Sequence, residues 1–249
     1  MTGPIGHGKS TFAKAVTQLE PSSIRFESSM IIAEVANALH GSLQQIPNRD
    51  DIASINGWLR SLPVILLQTV HVRCNYDQVK LSLSDIDLHP IEYEKLLLHV
   101  ENLARDPSLA RHEITKENKE TYRPFLQWLG GYLVKKVDPS IWYKEIIRRV
   151  YDAQSSGHKV CLIGGLRFPT DAIYVRQAGG IIIRVYRPDH LQYDKLDPTE
   201  RERDNIRPDT TIISNGTIKD IDHLARIVLD DILGDRLQKI YYAAGTNIA

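Results

Sequence analysis

The chain has 249 residues, 42% of them hydrophobic and 25% charged, with 31 basic and 31 acidic side chains that cancel in formal charge. That composition suits one α/β domain with a helical insertion, or two small domains, and it lacks the basic excess of a general nucleic-acid binder. Cys74 and Cys161 are too few for a disulfide framework or a zinc knuckle; with no apolar run near the ~18 residues of a membrane span and no leader before the first motif, a cytoplasmic setting without membrane partners is expected.

Residues 3–10 read GPIGHGKS, a complete G-x4-G-K-[ST] string. Gly3, Gly6 and Gly8 would let the backbone curl so that successive N–H groups face the phosphate oxygens of a nucleotide. Lys9 would reach the β- and γ-phosphates, Ser10 would offer its hydroxyl to Mg²⁺, and Thr11 completes the nucleotide-binding set. A helix from Ser10 to Leu19 would aim its positive end at the same anion. The other reading is a glycine-rich turn that caps a helix. Lys9 is expected to stand exposed over the empty loop. Such a loop normally follows a buried parallel strand, yet only Met1 and Thr2 precede Gly3. A missing or truncated first strand is therefore expected, with a true start upstream as the preferred explanation.

Downstream, Ile24–Phe26 is a short strand candidate. Ser28 or Ser29 caps a second helix that carries Ile31, Ile32, Val35, Ala36 and Leu39, and Gly41 should end it. Residues 42–120 read as a mostly helical insertion: a turn at 47–50, an apolar run at 62–72 that fits helix or strand, a loop at 85–89 and a helix near 90–104. From Pro124 a helix bears Phe125, Trp128, Leu129 and Leu133 and passes through Gly130-Gly131. Glycines there cost ~1 kcal/mol each relative to Ala, which points to a close neighbour. Asp138-Pro139 opens the next helix. Val160–Ile163, a helix at 170–177 and Ile181–Tyr186 form a βαβ unit, hence parallel strands. A charged stretch with three prolines runs from 187 to 208 and reads as a lid. Thr211–Ser214 is taken as the last strand, and a helix lined by Ile221, Leu224 and Val228 ends at Gly234. The phosphate-loop core is thus residues 1–41 and 121–249. The strands at 160–164, 181–186 and 211–215 should lie in one sheet.

Phosphoryl transfer needs positive charge around the migrating group. Arg167 and Arg187 each follow a strand, where open α/β sheets bind ligands. Arg123 and Gln127 precede Gly130. Arg201, Arg203 and Arg207 stand in the charged stretch, where an RERD string also fits a solvated face. Trp142 and Trp128 could stack a base or pack in a core. Asp171, at a helix start, is an ordinary N-terminal carboxylate or a site residue.

The segments Arg123-Pro-Phe-Leu-Gln127-Trp-Leu-Gly130, Asp138-Pro-Ser-Ile-Trp142, Arg167-Phe-Pro-Thr-Asp171-Ala, Gly179 to Pro188, Thr199-Glu200 and Ile213-Ser-Asn215-Gly-Thr follow the loop in a telling order. In that order they resemble the phage-type deoxynucleoside monophosphate kinases, loosely over 1–41 and well over 121–233. The resemblance implies a P-loop nucleoside monophosphate kinase fold, a parallel sheet flanked by helices. It also implies transfer of the γ-phosphoryl of ATP, with Mg²⁺, to a (deoxy)nucleoside monophosphate. Arg123, Gln127, Gly130, Trp142, Arg167 and Asp171 would then hold the acceptor, with Lys9, Arg123, Arg167 and Arg187 catalytic. The loop glycines, Lys9, Ser10 and Thr11 would hold ATP, with Ser10 on the metal; a homodimer is left open. This chain has Asp171 where the family often has Glu, and Gly165 where relatives can carry an acid. A phosphomevalonate-kinase-like enzyme and a nucleotide-binding protein without turnover are the alternatives.

Overall fold

A computed structural model describes residues 1–4, 6–44, 52–74, 98–99, 102, 112–115, 117–136, 138–190, 202–214 and 217–242. In chain order its elements are α1 (Lys9–Leu19), β1 (Ser23–Glu27), α2 (Ser28–Gln44), α3 (Ile52–Cys74), α4 (Arg123–Lys136), α5 (Ile141–Ser155), β2 (Val160–Gly164), α6 (Pro169–Gln177), β3 (Ile183–Tyr186), β4 (Thr210–Ile213), α7 (Ile218–Leu233) and β5 (Ile240–Tyr242). They fall into two compact units: Met1–Glu27 with Ile146–Ala249, and Ser28–Glu145.

The first unit is an α/β layer. β1 pairs with β2 in parallel, Ser23 opposite Val160 and Glu27 opposite Gly164. β3, β4 and β5 form a second parallel ladder in that order. The single sheet expected for 160–164, 181–186 and 211–215 is therefore two ladders. Between them lies a stub: Thr2 N–H donates to Ile183 O (2.9 Å), Val185 N–H donates to Thr2 O (3.1 Å), and Leu166 N–H donates to Met1 O (3.2 Å). Met1 and Thr2 thus occupy the central place that an opening strand would fill. Phe12, Ala13 and Val16 of α1 bury one face against Ile221, Leu224, Ala225 and Val228 of α7. Leu162, Ile183, Val185 and Ile212 supply the strand side of the same core. The i, i+3, i+4, i+7 spacing in α7 puts its apolar stripe on that core, and each large aliphatic buried there contributes roughly 1.5–3 kcal/mol.

β4 is not the last strand. Ile240–Tyr242 adds β5, whose three residues carry no alternation that sequence alone would register, and Tyr241 is its one buried residue. Gly234 ends α7 as expected.

The described elements of the second unit are helices, with turns at 117–122, and α3 and α4 both pack on α2. The stop expected at Gly41 does not occur, since α2 runs on to Gln44. One glycine costs ~1 kcal/mol in a helix, less than burial of the adjacent Leu39 contributes. The apolar run at 62–72 is helix, and Leu66 and Val70, one turn apart, are buried. At Gly130 the expected close neighbour is present: an added Cβ would stand 2.9 Å from Ile32 Cδ1, whereas Gly131 faces open space. His40 and His99 lie buried with Nε2 atoms 3.3 Å apart, both stacked on Phe125. Burial drives their pKa values down to about 4 and about 3, so both rings are neutral at ordinary pH. The turn at 47–50 and the loop at 85–89 lie outside the described residues. So does most of the helix at 90–104, of which 98–99 and 102 are helical.

Candidate active site

Because the strand pairs are parallel, the carboxyl ends of neighbouring strands fall on one side. Glu27, the Gly165–Arg167 turn, the loop after Thr2 and Arg187 all leave the strands there. The loop needs glycine at its turning points, with φ of +130° at Gly3, +79° at Gly6 and +89° at Gly8. Gly3 has a second requirement. A Cβ there would run into Val185 O and stand 3.2 Å from its carbonyl carbon, so only glycine lets the loop leave the sheet beside β3. Gly8 is the N-cap of α1 and supplies no side-chain cap, which leaves the first-turn N–H groups open to an anion.

Lys9 does not stand free over this loop. Its Nζ donates to Gly3 O and Pro4 O, both at 2.6 Å, bracing the turn from within. Burial, reinforced by Arg203 and Arg167, lowers its pKa to about 8. Arg203 is the surprise of the charged stretch. It is 4% exposed, although the mixed RERD string fits a wet face. Its guanidinium donates to the exposed carboxylate of Asp204 (Nη2 at 2.9 Å). The turn that carries it is tied to β3 by Arg184 Nη2 donating to Ile206 O at 2.6 Å. Arg207 is exposed, and Arg201 lies outside the described residues.

His7, within the loop, is fully buried. Its Nδ1 accepts the backbone N–H of Arg187 at 2.9 Å, and its ring packs against Tyr186 and His190. Burial, then the cations around it, lower its pKa to about 4. A neutral His7 thus pins the start of the 187–208 stretch to the loop, and His190 leans over Gly6.

Arg167 is exposed on the turn after β2. Asp171 sits at the start of α6, buried, with Phe168 N–H donating to its Oδ2 at 3.3 Å. Burial pushes its pKa up to about 7 against the pull of that hydrogen bond. The unfolded chain releases this proton near 3.8 while the folded chain keeps it to about 7. Folding stability attributable to this group therefore falls as pH rises between those values, by up to ~4 kcal/mol. Asp171→Asn should remove that slope. Urea unfolding at pH 5 and pH 8 should show the variant gaining ~1–3 kcal/mol on the parent at the higher pH. An unchanged difference between the two pH values would show that the carboxyl is ionised in the fold.

In the second unit, Arg123 is exposed and pairs with Glu120 (Nε to Oε2, 2.7 Å), and Gln127 is exposed one turn on. Trp142 is 5% exposed, and its indole N–H donates to Gly130 O at 3.0 Å. The indole therefore packs inside this unit and positions Gly130. Trp128 is likewise buried, stacked on Phe125.

With the geometry in place, comparison with known families is decisive. The family model described as deoxynucleotide monophosphate kinase matches residues 72–224, well over half of the chain. The chain belongs to this family. The comparison with curated proteins found no match. Membership makes the protein a kinase, a transferase of nucleotide metabolism. The matched segment of the kinase contains Arg123, Gln127, Gly130, Trp142, Arg167, Asp171 and Arg187, while the loop at 3–10 precedes it. Among the described residues no helix is long and apolar enough to cross a membrane.

Two site features of the kinase were not anticipated from its sequence. The burial of Arg203 has no signature in a string of alternating charges. Also missed was Arg25, whose Nη2 contacts both Ser10 Oγ (3.5 Å) and the Glu27 carboxylate, though the i, i+2 spacing of Arg25 and Glu27 puts both on one face of β1.

Proposed function

We propose that the protein transfers the γ-phosphoryl of ATP to a deoxynucleoside monophosphate, with residues 3–10 as the phosphate loop. The observation that carries this reading is the loop geometry: glycines at positive φ at 3, 6 and 8 lead into a helix N-terminus without a side-chain cap, and Lys9 is drawn into the same loop with its pKa lowered by burial and then by Arg203 and Arg167. Like charges gathered around a partly buried amine are costly without an anion and favourable with one. In the first unit the loop N–H groups cradle the β-phosphate, and Lys9 spans the β- and γ-phosphates. Arg167, Arg187 and Arg203 spread the charge that develops on the migrating group. The 187–208 stretch, of which 191–201 lie outside the described residues, serves as a lid, and His7 holds its start. Asp171 shapes the turn that aims Arg167. In the second unit the exposed Arg123 and Gln127 are the acceptor-binding candidates, and Trp142 sets Gly130 beneath them.

The residues present fit a divalent cation. The hydroxyl of Ser10 is exposed, and one guanidinium nitrogen of Arg25 contacts both it and the Glu27 carboxylate, so two oxygen ligands already share one cation. Mg²⁺, when bound, neutralises charge on the β- and γ-phosphates. The acceptor phosphate is itself nucleophilic, so the protein's task is to hold it in line and exclude water.

The test is a coupled assay of ATP with each deoxynucleoside monophosphate and, separately, phosphomevalonate. Turnover on at least one nucleotide is expected; activity on phosphomevalonate alone, or none at all, would overturn the reading. Arg203→Ala should lower kcat and kcat/KM together by ~10²-fold, as for loss of a donor that acts in the transition state. Arg203 is buried, so its loss also leaves a cavity, and urea unfolding of the variant separates that loss of stability from the loss of kcat. A kcat close to the parent's would remove Arg203 from the machinery.

A further inference from the structure

The acid expected after β2 is absent: Gly164 and Gly165 stand there. The neighbouring strand carries one at the same level. Glu27 is the last residue of β1 and pairs in register with Gly164. Its side chain lies across that glycine, and an added Cβ on Gly164 would stand 3.1 Å from both Cγ and Oε1 of Glu27. Glycine at 164 is thus what gives the Glu27 carboxylate its room. The Arg25 guanidinium bridges this carboxylate to the phosphate loop, with the same Nη2 donating to Glu27 Oε1 and, at 3.5 Å, to Ser10 Oγ. Arg25 Nε is buried without a hydrogen-bond partner among the described residues, so the guanidinium is held by only part of its donor set.

We infer that Glu27 is the carboxylate that orders the divalent cation of the metal–nucleotide, replacing the acid missing after β2. Arg25 is the positive charge that keeps its place while the loop is empty. Three observations meet here: a hydroxyl of the loop and a carboxylate share one cationic atom, the carboxylate is set at the strand ends by a glycine opposite, and that cation is incompletely satisfied. Mg²⁺ at 2.0–2.1 Å from oxygen retains several waters, so Glu27 would act on it directly or through one of them. Arg25 must then release Ser10 as the metal–nucleotide enters.

This inference rests on the phosphate-loop reading, and the experiment separates the two. ATP affinity is measured by titration calorimetry in Mg²⁺ and in EDTA for the parent, Glu27→Gln, Arg25→Gln and Lys9→Ala. The parent should bind ATP more tightly with the metal, and Glu27→Gln should lose about tenfold or more of that gain while keeping the EDTA affinity. Arg25→Gln breaks the same ion pair but keeps the carboxylate, so it should retain the metal-dependent gain or exceed it. If Glu27→Gln keeps the parent's gain, or Arg25→Gln loses it in step, the pair is structural and the inference falls alone. If the parent fails to bind ATP in either buffer, or Lys9→Ala binds as well as the parent, the loop reading falls and takes this one with it.

Discussion

Lys9→Ala should abolish phosphoryl transfer, with kcat down by ~10³-fold or more, on the scale of removing the principal charge donor in a water-poor site. The fold should survive with a modest loss. The hydrogen bonds from Nζ to Gly3 O and Pro4 O disappear, at about 1–3 kcal/mol each. Removing a charge crowded by Arg167 and Arg203 offsets part of that. The depressed pKa adds a second readout. The ammonium attracts phosphate and the free amine does not, so nucleotide affinity should be full below about pH 8 and fall as pH rises through that value. A bound phosphate raises the pKa again, so binding near pH 8 should take up a proton. Calorimetry in two buffers of different ionisation enthalpy measures that uptake. A Lys9→Ala protein with near-parent kcat would end the proposal that residues 3–10 are the phosphate loop of this enzyme.

Gly3→Ala should be the most damaging single methyl group in the first unit. The backbone there has φ of +130°, and the added carbon would collide with the Val185 carbonyl. Backbone strain of ~1–3 kcal/mol adds to a clash that a strand carbonyl cannot relieve by turning aside. A total of ~3–5 kcal/mol is expected, a large part of a domain's usual 5–15 kcal/mol. Gly8→Ala is the control. Its φ is +89° but nothing lies within 4 Å of the added carbon, so only the strain should be felt. Urea unfolding compares them directly. Equal losses would mean that Val185 does not confine the loop.

Much of the architecture was legible because its signals are local. The spacing of Ile221, Leu224 and Val228 announced α7, and the run Val160–Ile163 announced β2. The unclear parts depended on distant partners. Two residues cannot spell a strand, yet Met1 and Thr2 take a strand's place because Ile163 and Ile183 present free ladder positions on either side. Ile240–Tyr242 is a strand because β4 offers an open edge. At the site, the loop was readable from its glycines. The state of Lys9 was not, because carbonyls of the same loop capture it. Trp142 fitted a base or a core, with the core the simpler reading, and its buried indole bonds to the carbonyl of Gly130, twelve residues earlier. Glu27 was invisible because its neighbour Gly164 lies more than a hundred residues away in the chain.

His7 couples the phosphate loop to the strand that follows it. Its Nδ1 accepts the Arg187 N–H, and its ring lies against Tyr186 and His190. The loop and the carboxyl end of β3 are therefore one mechanical piece, linked by a buried contact that solvent does not weaken. A ligand that tightens the loop would be felt at once where the chain leaves β3, without any relay through the core.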